Sequence, residues 1–170
     1  GSNTKALTAL LYARLVEDGQ VKWGASVADL FAGTVETIDP AWRDITIEDL
    51  FAHRSGIGQV GAVWLVSRHA DERPITEQRL NTAAERLAEP PPGVPGEFEY
   101  SNLNYIVAGA AIEAMTGMAW EDAMGTRVIE PAGQGTADGW GFGPPQTGPV
   151  GHSNFFGLKS PKGRGDGADN

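Results

Sequence analysis

Two residues at the start of the chain have the types and the spacing of a nucleophile and its base. Ser2 and Lys5 are three positions apart in Gly1-Ser2-Asn3-Thr4-Lys5, and residues three apart on a helix share a face. A serine hydroxyl becomes a useful nucleophile when a neighbouring base takes its proton, and a lysine can be that base where burial or nearby charge lowers its pKa. Free N–H groups at the start of a helix also favour developing negative charge. The simpler interpretation is a serine N-cap followed by a solvated lysine.

A second pair of chemically able residues lies about 100 positions later. Tyr100 and Asn102 flank Ser101, after a loop with four prolines and two glycines at 89–96 and before an apolar helix. Side chains two apart on an extended segment point to the same side. A phenol near an ammonium can act as a base, and a carboxamide can bind both a substrate and a lysine. The simpler interpretation is a buried tyrosine with a satisfied hydroxyl, followed by a polar helix cap.

Helical spacing of apolar residues predicts the elements that position these groups. We expect helices over 3–18, 46–53, 76–88 and 101–116, with shorter ones over 62–70 and 120–128. The first should end at Gly19 and bury Leu7, Leu10, Leu11, Leu15 and Val16. Thr46 and Asp49 should form a capping box, and Thr76 should cap the third long helix. The predicted organisation is a helical region over 1–131 and a Gly/Pro-rich irregular segment over 132–170 of the same domain, with scarce strand signal.

Composition excludes several functional classes. The 170 residues contain no cysteine, so disulfides, thiolate catalysis and zinc–thiolate sites are ruled out. The net charge of −9 argues against nucleic-acid binding and against an anionic membrane surface. No apolar run is long enough to cross a bilayer, and no signal peptide is visible, which leaves localisation open between cytoplasm and periplasm or secretion.

The motifs, taken in order, resemble the serine β-lactamase-related family of class C β-lactamases, D-alanyl-D-alanine carboxypeptidases and related esterases. After the Ser-x-x-Lys tetrad come Ile45-Thr46-Ile47-Glu48-Asp49-Leu50 and His53-Arg54-Ser55-Gly56-Ile57. Pro95-Gly96-Glu97-Phe98 then leads into Tyr100-Ser101-Asn102, and Glu130-Pro131-Ala132-Gly133 resembles a later family block. The resemblance covers nearly the whole chain.

The resemblance implies roles for particular residues. Ser2 is the nucleophile that becomes acylated, Lys5 its partner, Tyr100 the general base or proton shuttle, and Asn102 a group that holds substrate and Lys5. The substrate is a small amide or ester (a β-lactam, a D-Ala-D-Ala peptide or a small ester), with no cofactor and no metal. We expect His53 and Ser55 to be structural, and likewise His69 and His152.

A third family motif, Lys-Thr-Gly or His-x-Gly on a sheet strand, is not found in the sequence. The resemblance implies an α/β sandwich, so the chain is expected to be mainly α: the helical region of that fold with most of the sheet missing. We therefore expect an incomplete catalyst that is weak or inactive alone, with exposed apolar surface that favours self-association. The alternative function is a non-catalytic pseudo-enzyme or helical interaction module.

Overall fold

The helices of the protein pack around one central, almost fully buried helix. The computed structural model describes residues 2–133 except 62, 63, 65, 66 and 69, together with the backbone of 152–155 and 158–161. Within these residues the helices are α1 (Asn3–Glu17), α2 (Val27–Leu30), α3 (Ile47–Phe51), α4 (Ile75–Leu87), α5 (Asn102–Thr116) and α6 (Trp120–Met124). A 3₁₀ turn spans Pro40–Arg43, and a π-helical segment, Gly125–Ile129, follows α6. The strands β1 (His152–Phe155) and β2 (Leu158–Pro161) pair antiparallel, with His152 opposite Pro161.

Helix α5 is the centre of the packing. It contacts α1, α2, α3, α4 and α6, and it is hydrophobic around most of its circumference. Such a helix is stable only when it is covered on all sides. Its small residues, Ala108, Gly109, Ala110 and Ala111, allow the neighbouring helices to approach closely. The N-terminus of this buried helix carries Asn102, which holds the second motif on a rigid element.

Helix α1 confirms the helix predicted at the start of the chain, but the residues that it buries are only partly the predicted ones. Its core-facing residues are Thr8, Leu11, Tyr12 and Leu15, whose 3–4 spacing defines one face. Leu10 lies off that stripe and is 46% exposed, so its predicted burial is wrong. The helix ends as predicted at Gly19, which adopts φ +71° and donates its N–H to the Val16 carbonyl.

The remaining helix boundaries confirm some predictions and correct others. Thr46 and Asp49 form the expected capping box, in which each side chain accepts from the other residue's N–H. Helix α4 begins one residue earlier than predicted, because Pro74 rather than Thr76 is the N-cap. The carbonyl of Pro74 accepts the first helical N–H, from Gln78, at 3.0 Å.

The later part of the chain differs in detail from the sequence pattern. The predicted helix over 120–128 is α-helical only to Met124 and then widens into the π-helical segment. Of the predicted helix over 62–70, residues 64, 67 and 68 are helical. The prediction for 62, 63, 65, 66 and His69 lies outside the described residues. Most of 132–170 also lies outside them, so its place in the domain stays a prediction.

Candidate active site

The structure brings the four predicted site residues together, although about 100 positions separate the two motifs. The Ser2 hydroxyl lies 2.9 Å from the Tyr100 hydroxyl, which is direct hydrogen-bond distance and needs no bridging water. The Lys5 ammonium donates to Ser2 Oγ at 3.3 Å and to Asn102 Oδ1 at 2.7 Å. Tyr100 Oη is also 3.5 Å from Asn102 Oδ1. The four side chains therefore form one hydrogen-bonded cluster.

Two helix N-termini present this cluster. Ser2 is the N-cap of α1, but its side chain makes no capping hydrogen bond, so the hydroxyl is free to face Tyr100 and Lys5. The simpler interpretation of Ser2 as an ordinary side-chain cap is therefore not what the structure shows. Ser101, the N-cap of α5, is extended at φ −146° and ψ 134°, and its hydroxyl accepts from the Leu103 N–H. This extended residue places Tyr100 and Asn102 on the same side, as the alternation predicts.

Charge around Tyr100 favours its ionised form. Its interaction with the Lys5 ammonium, followed by the hydrogen bond from Ser2, lowers the pKa of the Tyr100 phenol below its ordinary value. The Lys5 nitrogen also lies 5.2 Å from the centre of the Tyr100 ring and 5.5 Å from that of Tyr105. An ammonium beside a phenol stabilises the phenolate, which is the form that can accept a proton from Ser2.

The loop that carries Tyr100 is fixed to the segment after α3 by backbone hydrogen bonds. The N–H groups of Gly93, Gly96 and Glu99 donate to the carbonyls of Gly56, Arg54 and His53 at 2.8, 2.7 and 2.8 Å. Gly56 is required here, because it has φ +73° and an added Cβ would meet the Gly93 carbonyl oxygen at 3.0 Å. The Gln59 side chain also donates to the Tyr100 carbonyl.

His53 and Ser55 are buried and hydrogen-bonded, and His53 also contacts the site residue Tyr100 directly. Ser55 Oγ donates to Asn104 Oδ1 at 2.6 Å, and Asn104 Nδ2 lies 3.1 Å from His53 Nδ1. The His53 ring packs against the Tyr100 ring with centroids 4.4 Å apart. The contact between His53 and Tyr100 was not predicted, because no local sequence rule pairs these two residues and the resemblance implied no role for His53 beyond the fold.

Neither a metal site nor a membrane span is found in the part of the chain that the structure describes. No cluster of His, Asp or Glu there has the geometry to hold a metal ion. None of the described helices is long and apolar enough to span a bilayer. His152 lies on β1, of which only the backbone is described.

Comparison with known proteins gives the family. A family model described as Beta-lactamase matches residues 1–164. The chain is 29% identical to penicillin-binding protein 4 of Amycolatopsis lactamdurans, in an alignment that covers 78% of this chain and 33% of that protein. It is 32% identical to unguisins hydrolase ungD of Aspergillus violaceofuscus, in an alignment that covers 69% of this chain and 21% of that protein. The chain belongs to the Beta-lactamase family.

Solved structures give the same fold. A D-stereospecific amidohydrolase from Streptomyces sp. is 29% identical, with a TM-score of 0.60 over 79% of this chain and 42% of that one. An octameric penicillin-binding protein homologue from Pyrococcus abyssi superposes over 95% of this chain and 38% of its own, with a TM-score of 0.67 at 23% identity. The chain thus spans less than half the length of these relatives, and its described helices form the helical region of the β-lactamase and penicillin-binding-protein fold.

Proposed function

We propose that these residues belong to a serine hydrolase that forms an acyl-enzyme at Ser2. The observation that carries the proposal is the position of Ser2 Oγ, which is hydrogen-bonded to Tyr100 Oη at 2.9 Å and to Lys5 Nζ at 3.3 Å. A serine placed between a phenol and an ammonium has both a proton acceptor and a stabilising charge. Membership of the Beta-lactamase family supports the same assignment.

In the proposed first step, Ser2 Oγ attacks the carbonyl carbon of an amide or ester. The Oγ proton passes to the Tyr100 oxygen while the new C–O bond forms, and the Lys5 ammonium stabilises the phenolate before this transfer. Tyr100 then gives the proton to the leaving nitrogen or oxygen as its bond to the carbonyl carbon breaks. Water attacks the resulting ester of Ser2 in the second step, with Tyr100 again taking and returning a proton.

Asn102 completes the set as an orienting residue. Its Oδ1 accepts from Lys5 at 2.7 Å, and in the proposed complex its amide nitrogen donates to a substrate carbonyl. The first N–H groups of α1 lie beside Ser2 and favour negative charge on the substrate oxygen. The resemblance assigns a second oxyanion donor to a sheet strand, and we find no such strand beside Ser2 among the described residues.

The relatives narrow the proposed substrate class. The similar amidohydrolase is D-stereospecific by its name, and a further relative of known structure, SurE, at 31% identity, is described with D-Leu bound. We therefore rank amides and peptides with a D-residue at the acyl side above β-lactams and simple esters.

The proposal also includes 132–170 in the same domain, which is supported by a family match that extends to residue 164. Self-association through exposed residues such as Leu10 and Met115 stays a prediction.

The test is hydrolysis of paired D- and L-amino acid amides by the protein expressed from its whole open reading frame. We expect turnover of the D-amides that Ser2→Ala abolishes. Ser67→Ala is the matched control, because Ser67 is an exposed serine whose hydroxyl donates to the Trp64 carbonyl, with no other hydrogen bond to it among the described residues. Full activity in Ser2→Ala would contradict the proposal. Absence of turnover and of labelling by a serine-reactive probe would favour the alternative, a non-catalytic pseudo-enzyme or helical interaction module.

A further inference from the structure

His53 has an unusual backbone for a residue with a side chain. It follows α3 with φ +57°, and it is the one non-glycine residue with positive φ in the described part of the chain. Positive φ is uncommon for residues with a Cβ, although Asn, Asp and His tolerate it better than most. The side chain is 8% exposed, so the strained backbone directs an imidazole into the interior behind Tyr100.

The hydrogen bonds of His53 define its protonation state. Nδ1 accepts the Ser101 N–H at 3.3 Å, and Asn104 Nδ2 lies 3.1 Å from the same nitrogen. Ser55 donates to Asn104 Oδ1 at 2.6 Å, which turns the Asn104 amide so that its N–H₂ group faces the imidazole. Nδ1 is therefore an acceptor, and the ring is neutral with its proton on Nε2. Burial, followed by the charge of Lys5, lowers the pKa of His53, which favours the same neutral form.

These bonds act on the residues that carry the second motif. Ser101 lies between Tyr100 and Asn102, so anchoring its N–H sets the direction in which both side chains leave the backbone. The His53 ring then covers one face of the Tyr100 ring at 4.4 Å with an angle of 39° between the planes. Tyr100 is 43% exposed, so the rest of the chain covers only part of its surface.

We infer that His53 is a positioning residue for the reaction, which acts through its Nδ1 acceptor by holding Tyr100-Ser101-Asn102 against Ser2 and Lys5. This inference rests on the proposed function. Ser55 and Asn104 serve the same purpose one step further away, by orienting the donor that faces Nδ1. The block His53-Arg54-Ser55 thus supports catalysis as well as the fold.

Two substitutions separate the acceptor from the ring. In His53→Asn, Oδ1 is the same number of bonds from Cα as Nδ1, and asparagine tolerates positive φ, so the anchor to Ser101 is kept. In His53→Phe the ring remains, but the Ser101 N–H loses its acceptor. We expect His53→Phe to lower the acylation rate by about 10²-fold, the loss that a misplacement of about 1 Å can cause, while His53→Asn keeps most of it.

The pH profile of acylation provides a readout that a purely structural role would not move. Among the described residues, the titratable groups that interact with Tyr100 are Lys5 from α1, Tyr105 from α5 and His53 from the turn after α3. Lys5 lowers the pKa of Tyr100, so a phenol that moves away from the ammonium titrates closer to its ordinary value of 10.0. Because the phenolate is the active form, the limb in which the rate rises with pH follows the ionisation of Tyr100. This rising limb should therefore move to higher pH in His53→Phe and stay in place in His53→Asn.

The experiment uses the protein from the whole open reading frame, with thermal melts of each variant. Thr82→Val is the matched control, because it removes one buried hydrogen bond, to the Gln78 carbonyl in α4, and should leave rate and pH limb unchanged. A native rate and limb in His53→Phe, or equal losses in both His53 variants, would overturn the inference. If His53→Phe does not fold, Ser55→Ala provides the test, because it removes the bond that orients Asn104 towards His53. A fall in the acylation rate of less than about tenfold, with the rising limb moved to higher pH, supports the inference. An unchanged rate and limb overturn it. Retained activity in Ser2→Ala would contradict the proposed function itself, and this result is distinct from any result with the His53 variants.

Discussion

Removing the Tyr100 hydroxyl should separate catalysis from folding. In Tyr100→Phe the ring keeps its contact with His53 and with the Lys5 ammonium, and only the oxygen 2.9 Å from Ser2 Oγ is lost. A positioned acid or base contributes about 10²–10⁴-fold to a rate, which corresponds to about 2.7–5.5 kcal/mol of activation free energy. Because Tyr100 is 43% exposed, the free energy of unfolding should change by no more than about 0.5 kcal/mol.

The assay is stopped-flow release of nitrophenol from an activated ester, which follows acylation of Ser2, combined with urea unfolding. Tyr105→Phe is the matched control, since Tyr105 donates to the Phe51 carbonyl at 3.0 Å and not to Ser2. The control should lose about 1 kcal/mol of unfolding free energy and keep its acylation rate. Native acylation in Tyr100→Phe, with the limb in which the rate rises with pH unchanged, would refute the assignment of Tyr100 as the base.

Three further predictions concern backbone strain, ionisation and completeness. Gly56→Ala should lower the unfolding free energy by about 1–3 kcal/mol, because its φ is +73° and its Cβ would meet backbone atoms; Gly19→Ala, with φ +71° and open space, should lose less. Burial, with a contribution from Glu48, raises the pKa of Tyr12 to about 12. The protonated Tyr12 therefore contributes fully to stability below about pH 10, and this contribution is lost as the pH rises towards 12. In thermal melts at alkaline pH, Tyr12→Phe should flatten that decline. The 170-residue chain should release nitrophenol at least about 10²-fold more slowly than the protein from the whole open reading frame, because one oxyanion donor is worth about that much; an equal rate would show that the chain is a complete catalyst.

The sequence was most informative where local rules determine the structure. The capping box at Thr46 and the glycine end of α1 follow from backbone chemistry within a few residues, and both are confirmed. Leu10 was placed wrongly because amphipathic spacing alone did not separate the stripe through Leu11 and Leu15 from its neighbours. The burial of α1 is set by its contacts with α5 and the π-helical segment, which no local pattern shows.

The site was predicted as four residues, and its supporting contacts were not. Ser2-x-x-Lys5 and Tyr100-x-Asn102 each follow from short spacing, and a known family supplied the link between them. The stacking of His53 on Tyr100 and the bond from Ser55 to Asn104 join residues 47 and 49 positions apart. Such contacts depend on how α3 packs against α5, so only the folded chain reveals them.

Mapping a covalent adduct tests the central claim, that Ser2 is the acylated nucleophile, most directly. The protein from the whole open reading frame would be mixed with a slowly deacylating ester or β-lactam, quenched in acid and analysed by peptide mass spectrometry. We expect one adduct, on the peptide that contains Ser2, absent in Ser2→Ala and slowed in Tyr100→Phe. An adduct on another residue, or one that persists in Ser2→Ala, would contradict the account.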